Sequence, residues 1–358
     1  MSTQPRSLRL PDPNRIYRVV QWATGRIGTS SLREIIRSPK LKLVGVFVHS
    51  KAKEGRDAGE LCGLPPVGIT ATCNIDKIIA LKPDCVVANQ EGCNLENVCR
   101  FLEAGINIAT SRVDFLEPDR MDPEVRRRTE EACRKGGASI HATGASPGFS
   151  SEALPLVVAS MSRRMECMTI DEYADIPASC PDVQVVDGMG FGRQPGAKFD
   201  PHLLAHIAHG FEQSVHVIAK GLGLTLDGLQ VLGETANARE RFLLPGGTPI
   251  EKGTVAAQRI SVLGMLNGQP IIRYRLNWYC VIDVDKDWDL RRSGWRLLIE
   301  GETPIDVNVT FPVAADQVSP AMAAITAYRV LNAVPYVCAA EPGIRTTTDL
   351  PNIAPRMG

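Results

Sequence analysis

Between Tyr17 and about Phe149, short apolar β-branched runs alternate with stretches whose apolar residues recur every three or four positions. The runs Tyr17–Trp22, Leu41–His49, Cys85–Ala88, Asn107–Thr110 and Ala138–Thr143 predict strands. Gly28 to Arg37, Ile75–Leu81, Leu95 to Ala104 and Pro123 to Lys135 predict the helices between them. Repeats of this kind bury both faces of a parallel sheet, so the expectation is a doubly wound α/β domain with right-handed crossovers. From about Glu152 the period changes. One helix (Glu152–Ser160) precedes longer alternating runs at Cys167–Ala174, Gln230–Phe242, Thr254–Leu266, Gln269–Val281, Trp295–Glu300 and Asp306–Phe311. These predict an α+β domain with an open, largely antiparallel sheet. Asn267-Gly268, between two of the runs, is a hairpin signal. The expected division is residues 1–150, 151–315, and a C-terminal helix and tail over 316–358 that returns to the first domain.

Composition narrows the function. Lys plus Arg equals Asp plus Glu at 40 each, so the chain of 358 residues carries no basic footprint for nucleic acid. No apolar run is long enough for a membrane span, and the segment before Tyr17 lacks the apolar core of a signal peptide, which makes a cytoplasmic protein the expectation. The ten cysteines contain no CxxC pair and read as free thiols. His202, His206, His209 and His216 share one predicted helix, opposite a stripe of Leu203, Leu204, Ile207, Phe211, Val215, Ile218 and Leu222. With no Cys, Asp or HExxH-type partner nearby they predict a solvated or interface face, and no metal is expected.

The chemistry begins at Ala23-Thr24-Gly25-Arg26-Ile27-Gly28, between the first predicted strand and the first helix. It reads A-x-G-x-x-G, a dinucleotide-binding turn with alanine in the first glycine position, which marks the first domain as Rossmann-type. Gly25 would let the backbone approach a pyrophosphate, Gly28 would keep helix and strand close, and the anion would rest on the helix N-terminus. Alanine at this place implies a turn that is not strongly left-handed. An NAD site carries an acidic residue at the end of the second strand; here the chain runs His49-Ser50-Lys51-Ala52-Lys53. A hydroxyl and two cations suit a 2′-phosphate, so NADP(H) is expected, with NAD(H) as the alternative. Two further loops should reach the cofactor or substrate: Asn89-Gln90-Glu91, and Ser146-Pro147-Gly148 with its sharp turn. From the second domain Tyr173, Asn277, Trp278 and Tyr279 are candidates for an apolar pocket with polar tips.

The segments VVQWATGRIG, LKLVGVFVHSKAKEGRDAGELCGL, INIATSRVDFLEP, ASIHATGASPGFSSEALP, NWYC, GWRLLIEGETP and AYRVLNAVPYVCAAEPGIRTTTDLP occur in this order along the whole chain. Together they resemble the dihydrodipicolinate reductase-like oxidoreductases that include 2,4-diaminopentanoate dehydrogenase and the NAD(P)-dependent amine dehydrogenases. The resemblance implies a homodimer formed through the second domain and a small carbonyl or amine substrate. It also implies an acid–base carboxylate in a segment resembling E-E-L-x-x-P, which aligned on Pro118 falls at Asp114. Aspartate is one methylene shorter, so the carboxyl falls short by roughly 1.5 Å. The leading expectation is reductive amination by an amine dehydrogenase, with Asp114 catalytic and Glu91 a second carboxylate. The alternatives are a carbonyl or alcohol dehydrogenase and a non-catalytic NADP(H)-binding sensor.

Overall fold

The computed structural model describes residues 9–196, 199, 201–314 and 317–356. The chain forms two compact units, Met1–Phe149 with Met322–Gly358, and Ser150–Ala321.

In the first unit, strands β1 (Tyr17–Trp22), β2 (Leu41–Phe47), β3 (Ala71–Thr72), β4 (Cys85–Ala88), β5 (Asn107–Thr110) and β6 (Ser139–Ala142) lie in the order β6-β5-β4-β1-β2-β3, and Gly343–Arg345 adds a seventh strand beside β6. Every pair is parallel. Helices α1 (Arg26–Arg37), α2 (Ala58–Leu61), α3 (Ile75–Ala80), α4 (Leu95–Glu103) and α5 (Pro123–Gly136) make the crossovers. Alternate residues of β1 feed opposite layers. Val20 and Trp22 join Phe47, Val86, Phe101 and Ile140, while Val19 joins Leu32, Ile35, Val46 and Ala109. The second layer also takes Val330, Leu331, Val334 and Val337 from the C-terminal helix Val318–Ala339, whose apolar face closes that side of the sheet. Strand order reverses at β1, and the crevice beyond the carboxyl ends of the strands at such a point is where open α/β sheets bind ligands.

In the second unit, α6 (Leu154–Ala159) and α7 (Pro201–Gly221) accompany β7 (Met165–Asp175), β8 (Gly228–Asn237), β9 (Phe242–Leu243), β10 (Pro249–Ile250), β11 (Val255–Leu266), β12 (Gln269–Tyr279), β13 (Gly294–Gly301) and β14 (Ile305–Thr310). Six of these strands form a mixed sheet, β14-β13-β7-β12-β11-β8, antiparallel except for the β7–β12 pair. The face bearing Ile260, Val262, Ile272, Tyr274 and Leu297 packs on Ala208, Phe211, Val215 and Ile218 of α7. The β11–β12 hairpin turns on Asn267 and Gly268, with φ of +52° and +73° as the dipeptide predicts.

Several elements depart from the sequence expectation. The run Gln230–Phe242 is not one strand: the Asn237 amide donates to Asp285 and the Ala238 amide to Thr254, so pairing stops and resumes as the separate β9–β10 hairpin. The π-turn over Ala145–Ala153 that precedes α6 is broken at Ser146, Pro147 and Gly148, whose backbone is not helical, so helical backbone begins after Gly148 rather than at Glu152. The four histidines of α7, expected on a solvated or interface face, are not all alike. His202, His206 and His209 are exposed, whereas His216 is half-buried.

Candidate cofactor cleft

The β1–α1 turn is built by the residues around it. The Gln21 side-chain amide donates to the carbonyls of Trp22 (3.0 Å) and Ala23 (2.9 Å), and the Ala23 amide donates to Phe47 (2.8 Å). Ala23 itself has φ +67°, so the turn is left-handed and the expectation of a milder conformation at alanine is corrected. The residue does a glycine's work at a strain of about 1–2 kcal/mol. Gly28 cannot be replaced without movement, since a Cβ there would stand 2.2 Å from the Ala23 carbonyl oxygen. A Cβ at Gly25 would meet nothing within 4 Å. Gly25 is also the N-cap of α1 and offers no side chain to cap the first-turn amides.

Over this turn lies a cleft of about 460 Å³, lined by Ala23, Thr24, Gly25, Arg26, Ile27, His49, Ser50, Lys53, Asn89, Gln90 and Glu91, all expected from the sequence, and by Val48, Ser111 and Arg112, which were not. The unexpected Ser111 and Arg112 directly follow β5. The signal for them was their place after a buried strand, inside the same segment that carries Asp114. Gly28 lies beneath the turn, outside this lining.

Hydrogen bonds fix most of the walls. Asn89 is the keystone: its Oδ1 accepts from Gln21 Nε2 (3.1 Å) and Ser31 Oγ (3.0 Å), and its Nδ2 donates to Ser111 Oγ (3.1 Å). Lys53 Nζ folds over the turn and donates to the Thr24 carbonyl (2.9 Å) and hydroxyl (3.0 Å). Lys51 is outside the lining and pairs with Glu54 at 2.8 Å, a hydrogen bond that raises the ammonium above its ordinary range. Trp22 Nε1 donates to His49 Nε2 at 2.9 Å, which leaves the imidazole proton on Nδ1.

Beside the cleft, Val113–Phe115 forms a single 3₁₀ turn. Asp114 Oδ2 accepts from both Nε (2.9 Å) and Nη2 (2.7 Å) of Arg112, and among the described residues no side chain or amide bonds Oδ1. Ser146, Pro147 and Gly148 sit after β6 outside the lining; Gly148 has φ +124° and a Cβ there would strike Thr143, so this turn requires glycine.

The second-unit candidates are placed differently. Tyr173 and Tyr279 are buried in an apolar cluster, and burial pushes each phenol up to about 12. Asn277 is fully buried, its Oδ1 accepting from Arg259 Nε at 2.6 Å and its Nδ2 donating to Asp171 at 3.0 Å. Among the described residues no three His, Cys, Asp or Glu side chains gather at a spacing that would hold a metal, and no helix is long and apolar enough to cross a membrane.

A dinucleotide fits these residues on three observations: uncapped amides at the start of α1, open space above Gly25, and Gln90 Oε1, buried without a partner. A doubly wound sheet with such a turn at its switch point defines a dinucleotide-dependent oxidoreductase fold. Residues 157–358 match the 2,4-diaminopentanoate dehydrogenase C-terminal domain and residues 19–103 match the dihydrodipicolinate reductase N-terminus. The chain belongs to the 2,4-diaminopentanoate dehydrogenase family and is an NAD(P)-dependent oxidoreductase. An amine dehydrogenase of Streptomyces virginiae is 28% identical over 357 residues, covering 95% of this chain and 97% of that protein. A 4-hydroxy-tetrahydrodipicolinate reductase of Methanocaldococcus jannaschii is 30% identical over 111 residues, 29% of this chain and 40% of the relative. The solved structure of an amine dehydrogenase from Mycobacterium smegmatis shares the fold with a TM-score of 0.72 at 17% identity, over 95% of this chain and 98% of that one.

Proposed function

We propose that the chain is an NADP(H)-dependent amine dehydrogenase that interconverts a small ketone or aldehyde plus ammonia with the corresponding amine. The observation that carries this reading is the Arg112–Asp114 pair: Arg112 lines the cleft and grips one carboxylate oxygen, leaving Asp114 Oδ1 unengaged. Similarity to amine dehydrogenases over nearly the whole chain supports the C–N chemistry.

The bound dinucleotide supplies or takes up the hydride. The α1 amides and Arg26 bind the pyrophosphate. His49, Ser50 and Lys53 stand where an NAD site would carry a carboxylate and receive the 2′-phosphate. Asn89, Gln90 and the Pro147–Gly148 turn hold the nicotinamide end, with Glu91 and Ser146 toward the substrate. Asp114 stabilises the protonated imine electrostatically and holds at Oδ1 the proton that the nitrogen gains or gives up. Arg112 is a positioning residue, since it acts through Asp114. The same reading makes the protein a cytoplasmic homodimer.

The test follows NADPH absorbance over a panel of small ketones and aldehydes, with and without ammonium. Ammonium-dependent oxidation is expected. Oxidation that ignores ammonium would replace this reading with a carbonyl reductase, and silence under both conditions would replace it with an NADP(H) sensor.

A further inference from the structure

The second unit contains a cleft that no part of the nucleotide site uses. Its volume is about 530 Å³, within the range of small-molecule sites, and its walls include Pro177, Phe242, Leu243 and Leu244. One wall is preformed. The β9–β10 hairpin is pinned at its tip by Asp182, whose two carboxylate oxygens accept the Gly246 and Thr248 amides, each at 3.0 Å. Leu243, at the rim, is 57% exposed.

At the end of β7 the same cleft receives the carboxylate of Asp175. Its Oδ1 accepts only a long bond from the Ala178 amide (3.3 Å), and among the described residues no Lys, Arg or His stands within ion-pairing distance of it. The neighbouring thiol of Cys280 is pushed well up by burial and stays neutral, so the cleft presents a single anionic group. Burial likewise raises the Asp175 carboxyl. An unpaired carboxylate in apolar surroundings is costly, and a cation that brings its own hydrocarbon relieves it. One carboxylate among aliphatic walls is a poor donor set for a metal ion.

We propose that this cleft is a binding site for a small organic ammonium ion, its charged head on Asp175 and its apolar tail against Phe242, Leu243 and Leu244. The site goes beyond the cofactor cleft and is read out by binding alone, so its failure and the failure of the amine dehydrogenase reading are separate results.

The test is calorimetric titration of the full chain, without dinucleotide, with hexylammonium, hexan-1-ol and hexanoate. Hexylammonium is expected to bind more tightly than the alcohol, and hexanoate not to bind. Asp175→Asn should weaken hexylammonium about tenfold or more, the loss of one charge-assisted contact, and leave the alcohol unchanged. Leu243→Arg, at an exposed position that tolerates a charge, should abolish hexylammonium binding by placing a cation at the rim. Equal affinity for alcohol and ammonium, or hexylammonium binding that survives both substitutions, would overturn the proposal.

Discussion

Each unit gathers polar side chains at one region of its sheet, and the two sets are finished to different degrees. In the second unit Asp171 accepts two bonds from Arg275 (2.7 and 2.5 Å), Asn277 bridges Asp171 to Arg259, and Arg259 donates to the Trp288 carbonyl while lying 4.5 Å over its indole. Asp171, Asn277 and Arg259 are all buried, and each has its partners within this network, which also includes Arg275 and the Trp288 carbonyl. In the first unit the cleft keeps uncapped helix amides, an orphaned Gln90 oxygen and a left-handed alanine, with a half-engaged Asp114 beside it. The same residue types therefore serve opposite ends. A closed network holds a sheet together, and an incomplete one stores unmet hydrogen bonds that a ligand completes.

Substitutions should separate the two. Asp114→Asn removes the group assigned to proton transfer and is expected to lower turnover by about 100-fold or more, with NADPH affinity within a few-fold of the parent and unfolding unchanged. Asp171→Asn should do the reverse: a loss of about 3 kcal/mol in urea unfolding, because Arg275 and Arg259 lose their buried counter-charge, and an unchanged NADPH affinity. A stable Asp171→Asn protein, or an unstable Asp114→Asn one, would break the contrast.

His141 offers a pH test of comparable size within the first unit. It is fully buried on β6, its Nδ1 bonds the Arg345 carbonyl at 2.7 Å, its Nε2 has no partner, and burial lowers it to about 4. With an unfolded value near 6.5 the unfolded chain binds the extra proton between about pH 6.5 and 4, so stability falls as pH drops through that window. The expected loss is about 3 kcal/mol, and it should be absent in His141→Gln when unfolding free energy is measured against pH.

Much of this contrast was written in the sequence, and part was not. Periodicity located the parallel sheet because its central strands carry buried β-branched runs, such as Val19-Val20 and Val86-Val87, between helical segments, and Asn-Gly located the β11–β12 hairpin through its demand for positive φ. Two-residue strands such as Ala71–Thr72 have no period to detect. The glycine turn and the loop after β4 were legible because their position between elements fixes their surroundings. Ser111 and Arg112 were not, since a polar residue after a strand looks the same whether it faces solvent or a cleft. Tyr173, Asn277 and Tyr279 show the converse difficulty. Their order along the strands offered them as candidates for a pocket, but only their partners reveal that this part of the sheet is closed.

The smaller effects sharpen the cleft side of the comparison. Lys53 touches the turn and Lys51 does not, so Lys53→Ala should weaken NADPH relative to NADH severalfold, whereas Lys51→Ala, which loses only an exposed pair with Glu54, should change neither affinity by more than about twofold. Equal effects would mean that both ammonium groups reach the cofactor.

The smallest prediction concerns Ala23. Its φ of +67° costs about 1–2 kcal/mol, and glycine would relieve that while adding about 0.5–1 kcal/mol of backbone entropy to the unfolded chain. Ala23→Gly should therefore gain roughly 0.5–1 kcal/mol in urea unfolding, with NADPH affinity unchanged because the backbone path is already the one glycine would take. Stability could instead fall on the substitution. The alanine methyl would then be contributing packing that outweighs the strain, and the turn would belong with the satisfied network rather than with the unfinished cleft.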